Sequence, residues 1–498
     1  MNFKIFLTIL FFSILGVVWG VFLSAEPEVT YDIFHAIKFP LVEEVIEPPE
    51  QPLVLRDLND LRAGLIAASS TFIEINFPEM VLHYYKNGQE FRKYPVLARG
   101  NEPIWGGTPV GQYKISNKIT QAFAFAEGLY MPYALQIYGK FWIHGVPYFP
   151  GGKKVYSTYS HGCVRLKDTD AKALFKITEP GMPILLVDRA RDDYLYELST
   201  SSAPAADSEV SLLAGDTAMA TATPAAQYSS SGLPFPKITA QKYVVADFEN
   251  DFVFASKGAK DQVPVASLAK LMTAVVVAEN VDLRRSVQIT KAMVERGYGQ
   301  TKGLEDGKRL RVIELLFPLL IESSNDAAEI LAEFMGRDKT IQAMNDKAAA
   351  MDMRNTIFKD VTGFDKETKS SAEDIYYLSR YLLYNMSPIL KITRSKKTET
   401  FGAVNVKISD YKNKNIFSAN PDFLGGKIGY TQEAGRTGTF VFKFADKYKK
   451  ARYASVVLLG SSSLKDDTQR ILSWLRRNYD LSLFTASSSI ATATEEVE

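Results

Sequence analysis

The 498-residue chain contains one cysteine, in Ser160-His161-Gly162-Cys163-Val164-Arg165-Leu166. Two of its four histidines lie nearby: His161, and His144 in a His144-Gly145 pair 19 residues before the cysteine. A thiol becomes a useful nucleophile when an imidazole or amide dipoles favour the thiolate. Gly145 and Gly162 permit tight turns and close substrate approach. A single cysteine forms no intrachain disulfide and excludes zinc ribbons and Cys-Cys redox pairs. Three Cys/His ligands without a carboxylate cluster make a poor metal site, so no metal and no cofactor is expected. A structural thiol in a β-rich core is the bland alternative, and the two neighbouring histidines argue against it.

A second set starts at Ser267-Leu268-Ala269-Lys270, just before the apolar run Leu271-Met272-Thr273-Ala274-Val275-Val276-Val277. A helix from Ser267 puts Lys270 one turn later on the same face. There a partly desolvated amine can take the hydroxyl proton. Ser-x-x-Lys alone is frequent by chance. Ser323-Ser324-Asn325-Asp326-Ala327 follows, then Asn413-Lys414-Asn415, then Gly425-Gly426-Lys427-Ile428-Gly429-Tyr430-Thr431. The last reads as a strand entry, with Lys427, Gly429 and Thr431 on one face. Three polar elements in this order fit serine acyl transfer.

The cysteine segment resembles the YkuD-type L,D-transpeptidases over residues 71–188. The resemblance rests on His144-Gly145 and Ser160-His161-Gly162-Cys163-Val164-Arg165. It also rests on Thr108-Pro109-Val110-Gly111-Gln112-Tyr113, Met131-Pro132-Tyr133 and Asp170. It implies that Cys163 attacks the carbonyl of a meso-diaminopimelate-like third residue of a peptidoglycan stem, expelling D-Ala. His144 would be the base. His161 and Gly162 would shape the site, with backbone N–H groups around Cys163 as an oxyanion hole. Arg165 would orient stem carboxylates or brace the loop, Ser160 would give hydrogen-bond support, and Tyr133 would contact substrate. Attack by an amine on the thioester gives a 3–3 cross-link; attack by water gives L,D-carboxypeptidase activity.

The second set resembles the low-molecular-mass D-alanyl-D-alanine carboxypeptidases, penicillin-binding serine peptidases, over residues 237–482. Carried over, Ser267 is the acylated nucleophile and Lys270 its base. Ser323 and Asn325 relay protons and hold the substrate amide. Lys427 faces the substrate carboxylate, and Gly429, Tyr430 and Thr431 line the strand beside it. Backbone N–H groups of Ser267 and Tyr430 form the oxyanion hole. Beta-lactams are expected covalent inhibitors. One departure stands out: Lys427-Ile428-Gly429 replaces the family's Lys-Thr-Gly or Lys-Ser-Gly. A hydrogen bond to a charged group is worth about 1.5–3 kcal/mol, so the lost hydroxyl predicts weaker turnover, which Thr431 would offset. The alternative is a degenerate domain that binds muropeptides without turnover. A β-lactamase reading needs a deacylating carboxylate that the sequence does not single out.

These residues need two scaffolds. The expected fold is multidomain: a mostly-β L,D-transpeptidase domain, then an α+β penicillin-binding domain, behind an N-terminal transmembrane helix. Ile5 to Leu23 carries no charge and is long enough to cross a bilayer, as a signal-anchor or a signal peptide within residues 1–25. Residues 26–70, with Pro48, Pro49 and Pro52, read as a juxtamembrane stalk. Alternating Phe72–Asn76 and Val81–Tyr85 with an Asn87-Gly88 turn read as a hairpin, and 169–176 as a helix. Residues 189–236 are rich in Ser, Ala, Thr and Pro and read as a flexible linker. Strands at 243–247, 439–442 and 453–458 flank a helical block, a helix at 466–477 closes the domain, and 483–498 reads as a disordered tail. His35 and His83 are expected in packing or surface roles.

A net charge of +1 gives no support to nucleic-acid binding. The expected location is the cell envelope, outside the cytoplasmic membrane. The domains would act in sequence, one trimming pentapeptides to the tetrapeptides that the other uses, held within reach by the linker. A non-catalytic wall-anchoring protein is the remaining rival.

Overall fold

Phe72–Asn76 and Val81–Lys86 pair antiparallel, with Ile73 opposite Tyr84 and Ile75 opposite Leu82. Asn87 and Gly88 both take positive φ and turn the chain tightly into Gln89–Pro95. The computed structural model describes residues 58–100, 107–124, 127–157, 159–187, 228–249, 251–298, 301–395, 411–446 and 451–483. The expected membrane segment and the tail beyond 483 lie outside the described residues, as do most of the stalk and linker. Among the described residues no helix is long and apolar enough to cross a membrane.

Pro183–Val187 runs parallel to Phe72–Asn76 and joins it to Gly111–Lys114, completing a five-stranded sheet. Ile184 to Val187 are all buried, as expected of a central strand covered on both faces. A second sheet has the order Val164–Arg165, Phe141–His144, Leu129–Tyr138, Asn117–Ala124. The Asp168–Ile177 helix buries Ala171 and Leu174 beside it. Ile75, Leu82, Leu135, Ile143, Val164 and Leu186 share the core between the elements.

A helix, Leu58–Ala67, occupies the end of the segment expected to be stalk. Its Arg62 reaches Glu74 (3.0 Å) and the Tyr85 hydroxyl (3.1 Å), which ties it to the first sheet.

The second domain is built on a sheet ordered Val253–Lys257, Lys242–Asp247, Ala451–Ser461, Gly435–Ala445, Phe423–Thr431. Ser482–Leu483 adds a short pairing to Gly435–Ala445. The Ala269–Asn280 helix is buried from Ala269 through Glu279, because it is apolar nearly all round and sits at the centre of the helical core. The closing helix Leu464–Tyr479 packs its amphipathic face on the other side of the sheet.

Residues 228–235 differ from the flexible linker expected through 236. The buried Tyr228 donates to Asp247 (2.5 Å) and accepts from Arg452 Nε (2.9 Å). Phe235 stacks on Tyr243, and Trp474 donates to the Leu233 carbonyl at 3.0 Å. Composition averaged over the segment hides these two aromatic anchors among small residues.

All described residues belong to one compact unit, and the two domains touch directly. Lys347 of the second domain is fully buried and donates to Glu279 (2.9 Å), Tyr381 (2.9 Å) and, from the first domain, Tyr113 (2.8 Å). Asn280 donates to the Tyr138 hydroxyl at 3.3 Å. Gly139 sits so close to Glu279 and Asn280 that a Cβ would lie 2.6 Å from Asn280 Oδ1.

Candidate active sites

His144 ends the Phe141–His144 strand and pairs in register with Arg165. The ladder therefore holds Cys163, one residue before Val164, beside that strand. Gly162 makes the approach possible: its φ is +108°, and a Cβ would lie 2.1 Å from the Phe141 ring. Ser160 fixes the loop by donating to the Cys163 carbonyl (2.5 Å) and accepting from the Gly162 N–H (3.1 Å).

Cys163 and His144 line one cleft of about 500 Å³ with Ser160, His161 and Arg165. Burial pushes the Cys163 thiol up to about 11 and pulls the His144 imidazole down to about 4. Both are therefore neutral near pH 7. His144 Nδ1 lies 2.6 Å from the Gly145 carbonyl, which can only accept, so the proton resides on Nδ1. That tautomer leaves Nε2 as the basic lone pair. The Cys163 sulfur also contacts the Lys140 carbonyl at 3.8 Å.

Among the described residues Arg165 Nε is buried without a hydrogen-bond partner, while Nη1 reaches the Ser157 carbonyl at 3.4 Å. Arg165 lines the cleft, and its guanidinium there favours an anionic guest. His161 is largely exposed at the rim, 3.7 Å from Glu127. Tyr133, expected to contact substrate, is not among the described residues that line the cleft. It has a positive φ, and its ring lies against Phe175 and Lys172 of the Asp168–Ile177 helix. His83 pairs with Glu90, away from both sites, and His35 lies outside the described residues.

Asp168 carries no family signature and escapes sequence reading. Its Oδ1 accepts from Val146 N–H at 2.7 Å and its Oδ2 binds Lys154 at 2.6 Å, bracing the turn after His144.

The serine site begins with a 3₁₀ turn, Ala266–Leu268, that runs into the Ala269–Asn280 helix. Lys270 Nζ donates to Ser267 Oγ at 2.8 Å and to the Thr362 carbonyl at 2.9 Å. Burial lowers the Lys270 amine to about 7; Asp360 opposes this, and the Lys414 charge adds to it. Asp360 accepts backbone N–H groups of Thr362, Gly363 and Phe364 and so fixes the carbonyl that Lys270 uses. Gly363 is forced by packing, since a Cβ would lie 1.8 Å from the Ala266 carbonyl oxygen.

Ser323 has left-handed geometry (φ 61°) and accepts from Lys427 Nζ at 2.7 Å. Burial, with Lys270 and Lys414 adding to it, holds the Lys427 amine well below the usual lysine range. Asn325 opens the Asn325–Met335 helix beside them. The Phe423–Thr431 strand passes so near that a Cβ on Gly429 would lie 2.7 Å from the Ser267 nitrogen. Ser267, Ser323, Asn325, Ile428, Tyr430 and Thr431 all line one cavity of about 570 Å³. Arg436, which the motifs do not include, lines it too and lies 5.4 Å over the exposed Tyr430 ring. Asp360, Thr362 and Arg436 have no fixed spacing from the Ser-x-x-Lys pair, so only the fold brings them in. No cluster suited to a metal ion occurs among the described residues.

Residues 70–186 match the family model of the L,D-transpeptidase catalytic domain (YkuD), and residues 227–462 match that of the D-alanyl-D-alanine carboxypeptidases (Peptidase_S11). A D-alanyl-D-alanine endopeptidase of Haemophilus influenzae is 32% identical over 227 residues, covering 45% of this chain and 77% of the relative. One from Pseudomonas aeruginosa is 30% identical over 226 residues, 44% of this chain and 72% of the relative. A D-alanyl-D-alanine carboxypeptidase of Mycobacterium tuberculosis is 28% identical over 212 residues, 42% and 72% respectively. The chain belongs to the D-alanyl-D-alanine carboxypeptidase family and carries an L,D-transpeptidase catalytic domain ahead of its serine domain.

Proposed function

We propose that the protein is a bifunctional peptidoglycan-modifying enzyme, in which the serine domain trims pentapeptide stems and the cysteine domain joins or cleaves the resulting tetrapeptides. The observation that carries this reading is that each site places a candidate nucleophile with a neutral or near-neutral base. Ser267 faces Lys270 at 2.8 Å, and Cys163 shares its cleft with a His144 whose Nε2 is free to accept.

At the serine site, Lys270 takes the Ser267 proton as Oγ attacks the carbonyl of the penultimate D-Ala. The C–N bond breaks, the terminal D-Ala amine takes a proton through Ser323 and Lys427, and water releases the acyl group. At the cysteine site, the Cys163 proton passes to His144 Nε2 as sulfur attacks the third-residue carbonyl. D-Ala leaves with that proton, and an amine or water resolves the thioester. The close passage of the Gly429 backbone supports a two-N–H oxyanion hole at Ser267 and Tyr430. Beta-lactams would acylate Ser267 as substrate mimics. The location we propose is the outer side of the cytoplasmic membrane, with the apolar run Ile5–Leu23 as anchor or export signal.

Ile428 favours one second reading, a serine domain that binds muropeptide and turns it over slowly, since it places a hydrocarbon where the family has a hydroxyl. The test is mass spectrometry of purified disaccharide-pentapeptide incubated with wild type, Cys163→Ala and Ser267→Ala. Loss of tetrapeptide with Ser267→Ala and loss of cross-linked or L,D-cleaved product with Cys163→Ala are expected. Tetrapeptide formation that survives Ser267→Ala would overturn the serine assignment.

A further inference from the structure

The cysteine cleft is not built by the cysteine domain alone. Asn280, Asp282, Leu283, Arg284 and Ile313 of the serine domain line it opposite Cys163. The seam is tight where the two meet. Lys140, whose carbonyl touches the Cys163 sulfur, donates its ammonium to the Ala278 carbonyl at 2.8 Å. That carbonyl lies in the last turn of the Ala269–Asn280 helix, whose first turn holds Lys270. Cations near a helix C-terminus are favoured by the peptide dipoles. One helix of about 18 Å, at 1.5 Å per residue, therefore carries the serine site's base at one end and clamps the cysteine site at the other.

The second wall also brings charge. Arg284 is oriented by Asp282, with Nε and Nη2 each donating at 2.9 Å. A guanidinium has five N–H groups, so three remain for a guest. Arg284 stays largely exposed to the cleft, and Glu127 of the first domain is near enough to act on it electrostatically. Arg165 of the first domain lines the same cleft. Two guanidinium groups contributed by different domains to one cleft suit a peptide with carboxylates spaced along it.

We infer that the serine domain completes the substrate cleft of the cysteine site, and that Arg284, held by Asp282, binds a stem-peptide carboxylate other than that of the leaving residue. The inference rests on the L,D-acyl-transfer reading of Cys163. Arg284 is a specificity residue contributed across the domain seam, and it touches no part of the serine machinery.

The test uses the full chain with Arg284→Ala and Arg284→Lys. Arg284→Ala is expected to raise KM for a tetrapeptide donor about tenfold with kcat changed less than twofold, while Arg284→Lys recovers part of the loss. The D,D-trimming rate stays at the wild-type value in both. A donor with its non-leaving carboxylates amidated binds the wild type more weakly and does not distinguish wild type from Arg284→Ala. A second measurement is independent of turnover: the ratio of Cys163 alkylation rates with iodoacetate and iodoacetamide, which falls several-fold in Arg284→Ala. Unchanged KM and an unchanged alkylation ratio would overturn the inference. If the wild type turns over no tetrapeptide, the L,D reading fails, and the alkylation ratio alone decides whether Arg284 governs anion access to Cys163.

Discussion

On the proposed chemistry, the two sites solve the same problem, activating a weak nucleophile, by different means. The serine site uses a lysine whose charge is made expensive by burial and by Lys414, so its amine sits at about 7 and already contacts Ser267. The cysteine site uses a histidine that burial holds at about 4 beside a thiol held at about 11. Charge separation there is unfavourable until a carbonyl arrives to accept the sulfur's electrons. A further difference lies in construction. Among the described residues, every group lining the serine cavity comes from its own domain, whereas the cysteine cleft is lined in part by its neighbour. The serine site is complete as a fold, and the cysteine site is complete only as an assembly.

The sharpest break in this comparison is loss of either nucleophile. Cys163→Ala should lower L,D product formation about 10⁴-fold or more while leaving D,D trimming intact, and Ser267→Ala should do the reverse. Product analysis on purified disaccharide-peptides reads both. If either substitution removes both activities on its own substrate, the sites are not chemically independent.

Ile428→Thr tests whether the serine site is held back by one missing hydroxyl. Ile428 lines the cavity, and its carbonyl accepts from Lys427 Nζ at 2.7 Å. A restored hydrogen bond to a carboxylate is worth about 1.5–3 kcal/mol, or a gain of roughly ten- to a hundredfold in kcat/KM. Acylation by a fluorescent penicillin gives the same comparison without substrate. No gain would mean that Thr431 or Arg436 already fills the role.

Gly162→Ala bears on the cysteine site alone. The new Cβ meets the Phe141 ring at 2.1 Å in a left-handed backbone, so the loop must move. Strained backbone positions cost about 1–3 kcal/mol, and a misplaced nucleophile loses about a hundredfold in rate. A fall in L,D activity with unchanged penicillin labelling of Ser267 is the expected pattern.

The motifs made the grouping of Ser267 with Lys270, of Cys163 with His144 and of Ser323 with the Lys427 strand legible in the sequence, because each motif is local: one helical turn, one loop or one strand. The strands at 72–76 and 453–458 were equally plain, the first from alternation and the second from its apolar run. What stayed hidden depends on contacts between distant segments. Asp360 reaches Lys270 through a loop nearly a hundred residues away, and Asp168 braces His144 from the start of a helix. Tyr133 sat in a family motif, yet its ring lies against Phe175 of the Asp168–Ile177 helix. Tyr228 looked like linker because one aromatic among small residues does not move a composition average. The domain seam left no signature at all: Lys347, Glu279 and Tyr113 are unremarkable residues until folding buries them together.

The smallest expected effect is the most direct probe of how the two bases differ. A general base acts when neutral, so the rate through Lys270 should rise with pH through about 7. His144, held at about 4, is neutral well below that, so L,D activity should be nearly flat over the same range. The ratio of D,D to L,D rates measured on one protein sample should therefore climb between about pH 5 and 8. Lys414→Ala removes a cation that disfavours protonated Lys270. The amine then holds its proton to higher pH, the D,D limb moves up, and the rate at pH 7 falls roughly two- to threefold. The L,D profile, far from Lys414, stays where it was. A Lys414→Ala protein with an unmoved D,D limb would mean that burial alone sets the Lys270 amine, which would leave the serine site depending on the same single device as the cysteine site.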